Sequence, residues 1–218
     1  MAKTAIRYEN YQEQRTRWPG DGRHILAQYD DESIIVYQAY RPENGRHADA
    51  HQHYGGPWSF DRMSWIKPNF LWMMYRSGWA EKAGQEVVLA IRISRDGFDQ
   101  ILARAVHSSF KPGVYESRAA WQGRVAGSDV RLQWDPDHDP HGNKVERRAI
   151  QLGLRGPVLR RYARDWCLGI EDISGYVCAQ REHVIHRRLD LLETPAERVY
   201  PVADPAVRQH LGLAAWPG

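Results

Sequence analysis

The stretch Arg62-Met-Ser-Trp-Ile-Lys67 gathers two cations, a hydroxyl and an indole within six residues. Arg62 and Lys67 can neutralise phosphate oxygens, Ser64 can hydrogen-bond a phosphate or a ribose, and Trp65 can stack on a planar ring. Where a strand gives way to a helix, main-chain N–H groups and the positive end of the helix dipole add to the attraction for anions. Arg41, at the end of a β-rich run, and Arg76, in the following helical pattern, are further candidates for phosphate contact. Arg148 and Gln151, on a later alternating run, complete the candidate ligand set.

A second concentration of chemistry is Trp134-Asp-Pro-Asp-His-Asp-Pro-His-Gly142. Aspartate and histidine ligate divalent cations, so Asp135, Asp137, His138 and Asp139 could serve a metal-dependent hydrolase or nuclease. Pro136 and Pro140 restrict the backbone instead to extended or turn shapes. The spacing also lacks the glycine and twelfth-position glutamate of a calcium loop. A turn held by aspartate side chains is the preferred reading, and no metal is expected. Asp135 stands apart: it ends an alternating strand on the same parity as Gln133. There it could act as a general base or orient an acceptor group, with Gln133 and Ser64 as catalytic partners. His47, His51 and His53 lack the glutamate of an HExxH zinc site and read as surface histidines. No GxSxG, GxxxxGK[ST] or GxGxxG pattern occurs, which removes support for an α/β-hydrolase, a P-loop enzyme and a Rossmann enzyme. Gly55-Gly-Pro-Trp-Ser59 reads as a turn.

The rest of the chain must position these groups. Ile6 to Trp18 predicts a short polar helix, stopped by the glycines and proline of Trp18-Pro-Gly-Asp-Gly22. Ile25–Tyr29 and Ile34–Tyr40 are β-rich runs around a polar turn, a hairpin signal. The Gly-, Pro- and His-rich residues 41–58 read as a loop. Ser64 or Asn69 could cap a helix over Phe70–Arg76 that Gly78 closes. Trp65, Trp72 and Trp79 recur every seven residues, but Pro68 and Gly78 argue against one continuous helix. Residues 86–94 predict a strand, and residues 94–106 a helix capped by Ser94. Val130, Leu132 and Trp134, then Ile150, Leu152 and Leu154, alternate with polar neighbours. They predict an antiparallel pair with the Asp/His segment as its loop. Residues 157–170 and 171–188 read as helices, and the Pro-rich tail as irregular. This order is not a βαβ alternation. The expected class is α+β, a mostly antiparallel sheet with helices packed against it, in a single domain spanning 1–218.

Composition bounds the function. With 42% hydrophobic and 26% charged residues, the chain is ordinary for a soluble globular protein. A net charge of +3 favours acidic ligands such as phosphates, and is too small to argue for nucleic acid by itself. Nine tryptophans, several beside arginines, suit a flat ligand as well as a core. No apolar run approaches a membrane span, and the opening residues lack a secretory core. A cytoplasmic protein with no membrane partner is therefore expected. Cys167 and Cys178 form no CxxC pair and are expected to be buried thiols on helices.

The runs ILAQYDDESIIVYQAYRP, RMSWIKPNFLWMMYRSGW, RLQWDPDHDP and RRAIQLGLRG together resemble the domain-of-unknown-function family numbered 4291, from about Ile6 to Val202. That resemblance implies no reaction, cofactor or substrate. The layout of RMSWIKPNFLWMMYRSGW is also similar to the opening of ADP-ribosyltransferases: a basic residue, a spacer and a hydroxyl residue before a helix that ends in glycine. The similarity implies that Arg62 and Ser64 hold the nicotinamide-ribose side of NAD. It further implies that Tyr75 or Trp72 stacks on the ring, and that Gln133, Asp135 or Gln151 orients the acceptor. The expected function is a nucleotide- or phosphate-ligand-binding enzyme, with NAD as candidate cofactor and ADP-ribosyltransferase-like transfer as candidate reaction. A metal-dependent hydrolase and a non-catalytic nucleotide- or RNA-binding module are the alternatives. The latter suits single-stranded RNA better than duplex DNA.

Overall fold

Strands buried on both faces read as unbroken apolar runs, and two such runs organise this chain. The computed structural model describes residues 6–216. It begins with β1 (Tyr8–Asn10), α1 (Tyr11–Arg15), β2 (Leu26–Ala27), β3 (Ser33–Tyr40), α2 (Pro42–His51), β4 (Ser64–Ile66) and α3 (Phe70–Ser77). The middle comprises β5 (Val87–Ser94), α4 (Arg95–Ala103), β6 (Ala105–His107), α5 (Arg118–Gly127), β7 (Val130–His138) and β8 (Lys144–Leu154). It closes with α6 (Gly156–Arg164), β9 (Cys167–Asp172), α7 (Ser174–Ile185), β10 (Glu193–Pro195), β11 (Arg198–Val199) and α8 (Pro205–Leu211).

The fold is α+β. One sheet has the order β3-β5-β9 and another the order β4-β8-β7-β6. Every ladder is antiparallel except β6 with β7. The two sheets pack their apolar faces into one core, through Val36 and Leu89 on one side and Leu132 and Leu152 on the other, and among the described residues their edges share one main-chain contact. Tyr37 N–H donates to the Lys67 carbonyl at 2.7 Å, and Lys67 N–H donates back at 3.2 Å. Beyond this bridge β3 and β4 form no further ladder pairs.

Side-chain alternation along β3 and β5 divides the core. Ile34, Val36, Leu89, Ile91 and Ile93 join one cluster with α4 and α6, through Phe98, Ile101, Val158 and Tyr162. Ile35, Tyr37, Val88 and Ala90 join the other with α3 and α7, through Phe70, Met74 and Val177. The short pairs β1–β10 and β2–β11 stitch the N-terminal segment to the tail.

Several local expectations change. The predicted N-terminal helix is shorter, because Tyr8–Asn10 is drawn into a strand opposite Glu193–Pro195. Of the run Ile25–Tyr29, only Leu26–Ala27 is strand, and its ladder partner is β11; Tyr29 makes one bridge to Ile34. Residues 41–58 are not all loop, since Pro42–His51 is a helix with proline in its first turn. Its glycine marks a close approach: a Cβ on Gly45 would lie 2.3 Å from Val87 Cγ1, so glycine alone lets α2 seat on β5. The helix expected over 157–170 stops at Arg164, and Cys167–Asp172 pairs with β5 as an edge strand. Neither cysteine fits the expectation of a buried helical thiol. Cys167 opens β9 and is half-buried, while Cys178 is exposed on α7. The tail is more regular than its prolines suggest, with two short strands and α8.

The Asp/His segment is mostly strand, not loop. β7 runs through His138, leaving 139–143 as the turn. Asp137 is 1% exposed within an ion pair, accepting from Arg147 Nε at 2.8 Å and Nη2 at 2.6 Å. Arg147 also donates to the Pro19 carbonyl at 2.7 Å and lies 5.4 Å from the Trp18 ring. Asp139 holds the turn by accepting from the N–H groups of His141 and Asn143, both at 2.9 Å.

Removing one member of a buried ion pair strands its partner, at a cost of about 3–5 kcal/mol. Asp137→Ala is therefore expected to lower unfolding stability by about that amount in urea titration. Asp139→Ala, on the exposed turn, should cost about 1 kcal/mol. Equal losses for the two variants would contradict the structural role given to Asp137.

Candidate functional site

The Tyr37–Lys67 bridge is followed by a splay of β3 from β4, and a side chain fills the gap. Gln38 Nε2 donates to the Ser64 hydroxyl at 2.7 Å and to the Trp65 carbonyl at 3.2 Å. Its Oε1 accepts from the hydroxyls of Tyr54 and Tyr162. All four hydrogen-bonding positions of this buried amide are thus used. Ser64 also meets the Tyr40 hydroxyl at 3.0 Å, and Trp58 Nε1 donates to that hydroxyl at 3.0 Å. When Tyr40 relays this donation to Ser64, the Ser64 oxygen accepts twice and its own proton is left for a ligand.

A cavity of about 720 Å³ occupies this junction. The splayed strands contribute Gln38, Tyr40, Ser64 and Trp65 to its lining, with Lys67 just beyond β4. α3 contributes Trp72, Met73 and Arg76, the last standing four residues after Trp72 and three after Met73, within reach of both. β7 and β8 contribute Gln133, Asp135 and Gln151. Gln133 lies directly opposite Gln151, and Asp135 is one same-face position further along β7. Arg41, Asn44, Trp58 and Arg62 complete the rim.

Asp135 is held by two neutral amides. Gln133 Nε2 donates to Oδ1 at 2.9 Å, and Gln151 Nε2 donates to Oδ2 at 2.7 Å. Each carboxylate oxygen keeps a lone pair for a substrate group. Trp65 faces Gly153 across the β4–β8 ladder, where a Cβ would lie 3.0 Å from the indole. Glycine there lets the indole lie against β8.

The cations are unevenly satisfied. Arg41 pairs with Glu43 at 3.5 Å on the surface. Arg62, Lys67 and Arg76 make no ion pair among the described residues. Arg76 lies 6.0 Å from the Trp72 ring centre. Lys67 is only 6% exposed, and its ammonium has no hydrogen-bond acceptor among the described residues. Burial pushes its pKa down to about 8, the Arg76 charge pushes the same way, and Asp135 pulls it back. The indole N–H of Trp72 is another buried donor without a partner.

Nine of the ten residues singled out from the sequence line this cavity: Arg41, Arg62, Ser64, Trp65, Lys67, Arg76, Gln133, Asp135 and Gln151. Arg148 does not. It shares strand parity with Ile150 and Leu152, so it points away from Gln151, and it is exposed. Of the two rings implied for stacking on NAD, Trp72 lines the cavity. Tyr75 stacks instead on His138, with ring centres 3.5 Å apart.

The helix-terminus argument for phosphate binding does not hold. Asn69, not Ser64, caps α3, accepting from Trp72 N–H at 2.7 Å. The Phe70 N–H is taken by the buried carboxylate of Glu197 at 2.6 Å, and Asn69 Nδ2 donates to the same group at 3.1 Å. The end of α3 is thus already satisfied from the tail, and burial pushes the Glu197 carboxyl well above its usual range.

The proposed metal ligands disperse. Asp135 faces the cavity, Asp137 pairs with Arg147, His138 is stacked on Tyr75 and Asp139 holds a turn. His47 and His51 stack at 4.1 Å near the end of α2, on a helix and not a loop. Among the described residues no group of three potential ligands is placed to hold a metal ion.

Sequence reasoning missed Gln38, Trp58 and Glu197. Gln38 is the polar residue inside the apolar run IIVYQAY, a usable signal. Trp58 was read as part of a plain turn, and nothing local marks Glu197 as a cap for residue 70.

Comparison with known proteins now identifies the family. The chain belongs to the family described as Domain of unknown function (DUF4291), whose model matches residues 24–200. The match is somewhat shorter than the resemblance from Ile6 to Val202. A search of curated proteins found no match. Neither comparison lends support to the similarity with ADP-ribosyltransferases.

A buried lysine without a carboxylate partner opposes folding while it is charged. Lys67→Met, close in shape and apolar, is expected to stabilise the protein at pH 7 by up to about 3 kcal/mol. The gain should be complete below the folded value of about 8 and fade as pH rises towards the ordinary lysine value of 10.5. Urea titrations of both proteins at pH 7 and pH 10 measure this. A less stable Met variant at pH 7 would show that Lys67 holds the fold together.

Proposed function

We propose that this DUF4291-family chain is a cytoplasmic enzyme that binds a nucleotide or similar phosphorylated ligand in the cavity between the two sheets. The observation that carries the reading is the convergence there of Arg62, Lys67 and Arg76, without ion pairs, with an amide-held Asp135 and a half-buried Trp65. Three uncompensated cations favour an anion of several charges. A volume of about 720 Å³ lies within the range of small-ligand and cofactor sites. Trp65 offers a face for a base or nicotinamide ring, and Ser64 a proton for a ribose or phosphate oxygen. Asp135 lines the same cavity as the cations and takes the role of general base or acceptor-orienting group. The finer form of the proposal is NAD as ligand and ADP-ribosyl transfer as reaction.

Half-buried Trp65 beside exposed Arg41 and Arg62 favours a second reading, a non-catalytic site for nucleotides or single-stranded RNA. Its binding would weaken steeply with salt and show no turnover.

A thermal-unfolding panel of AMP, ADP, NAD, ADP-ribose and inorganic phosphate tests the proposal. A ligand at about a hundred times its dissociation constant should stabilise the fold by about 2.7 kcal/mol. Arg62→Ala and Arg76→Ala should each weaken that response. Asp135→Asn should keep binding while lowering turnover by about 10²–10⁴-fold. An Asp135→Asn protein with unchanged turnover would leave only the binding module standing. A panel without any response, or one unchanged in both arginine variants, would remove the site altogether.

A further inference from the structure

We propose that Lys67 is a nucleophile whose ε-amine condenses with an anionic carbonyl compound, specifically a phosphorylated sugar in its open-chain form, held in the cavity by Arg62 and Arg76. The inference rests on the phosphate-binding reading above and adds a covalent step to it.

Buried lysines in folded proteins are almost always paired. Lys67 is 6% exposed, lines the cavity and has no acceptor for its ammonium among the described residues. Its backbone is fixed by the bridge to Tyr37 and by Pro68, so its side chain leaves the chain at a defined point of the cavity wall. A desolvated amine beside a second cation is the arrangement that leaves a lysine neutral, and nucleophilic, near physiological pH. Burial and Arg76 both act in that direction here. The other described lysines, Lys82, Lys111 and Lys144, are more exposed and line no part of the cavity.

The step balances without a further reactant. The nitrogen lone pair adds to the carbonyl carbon, and the C=O π pair moves to oxygen. A proton passes from nitrogen to that oxygen, giving a carbinolamine. Loss of the second nitrogen-bound hydrogen with the oxygen releases water and leaves a C=N bond. Asp135 is the carboxylate whose charge acts on Lys67 and it lines the same cavity, so we assign it the proton transfer. Arg76 and Arg62 supply the countercharge for the sugar phosphate.

The test uses the full chain with ribose 5-phosphate and sodium cyanoborohydride, which reduces the C=N bond to a stable amine that peptide mass mapping locates. At pH 7 an amine near pKa 8 should be labelled faster than ordinary surface lysines by roughly tenfold or more. Lys67 should therefore label ahead of Lys82 and Lys144, AMP should protect it, and ribose without phosphate should label it more slowly. Lys67→Arg should show no cavity adduct. The wild-type map decides the matter even if that variant does not fold. Adducts confined to Lys82, Lys111 or Lys144 overturn the nucleophile. If AMP still stabilises that same protein, the phosphate-binding reading survives it. Labelling of Lys67 by ribose and ribose 5-phosphate alike, without protection by AMP, keeps the nucleophile and overturns the phosphate-binding reading.

Discussion

Two main-chain hydrogen bonds between Tyr37 and Lys67 join the three-stranded and four-stranded sheets, and the candidate site exists because they stop there. Had the ladder continued, β3 and β4 would close edge to edge. The chain instead turns the next side chain, Gln38, into a cross-brace that bonds Ser64 and Trp65 on one strand and Tyr54 and Tyr162 behind it. A buried amide with every position satisfied stabilises one arrangement sharply, because each lost partner leaves a desolvated polar atom. The opening between the strands is therefore a rigid feature with a built frame.

The lining of that opening is at odds with stability. Lys67 is buried without an acceptor among the described residues, the Trp72 N–H is orphaned, and Arg62 and Arg76 stand at the opening without ion pairs. Folding alone favours none of this. Elsewhere the chain satisfies its buried carboxyl groups with care. Asp137 is neutralised by Arg147, which is itself backed by Pro19 and Trp18, and Glu197 accepts two hydrogen bonds at the start of α3. The contrast between these two treatments of buried polar groups separates scaffold from site more clearly than residue type does. Asp135 and Asp137 stand two positions apart in one strand, yet one is held by neutral amides towards a cavity and the other is locked in an ion pair.

How much of this was legible in the sequence follows from the range of the forces involved. Alternation in Val130–Asp135 and Ala149–Leu154 fixed which residues share a face, and so brought Gln133, Asp135 and Gln151 together before any contact was known. The cluster Arg62–Lys67 was visible from residue type alone. Arg148 was misplaced although parity with Ile150 already turned it away. Helix α2 was hidden because its glycine looked like a loop signal, when it marks a close approach to Val87. The strand Cys167–Asp172 was hidden because its partner, β5, lies far back in the chain. Asn69, the local cap of α3, was legible, but the second acceptor at that end, Glu197, comes from 127 positions away, and no local pattern records such a pairing.

That last contact has a temporal side. Glu197 reaches the start of α3 from the tail, and the same segment is anchored by Trp18 and Gln14 through the Glu197 carbonyl and N–H. The helix bearing Trp72 and Arg76 thus lacks this N-terminal partner until residue 197 has left the ribosome. On a nascent protein the α3 side of the cavity is made early and fastened late.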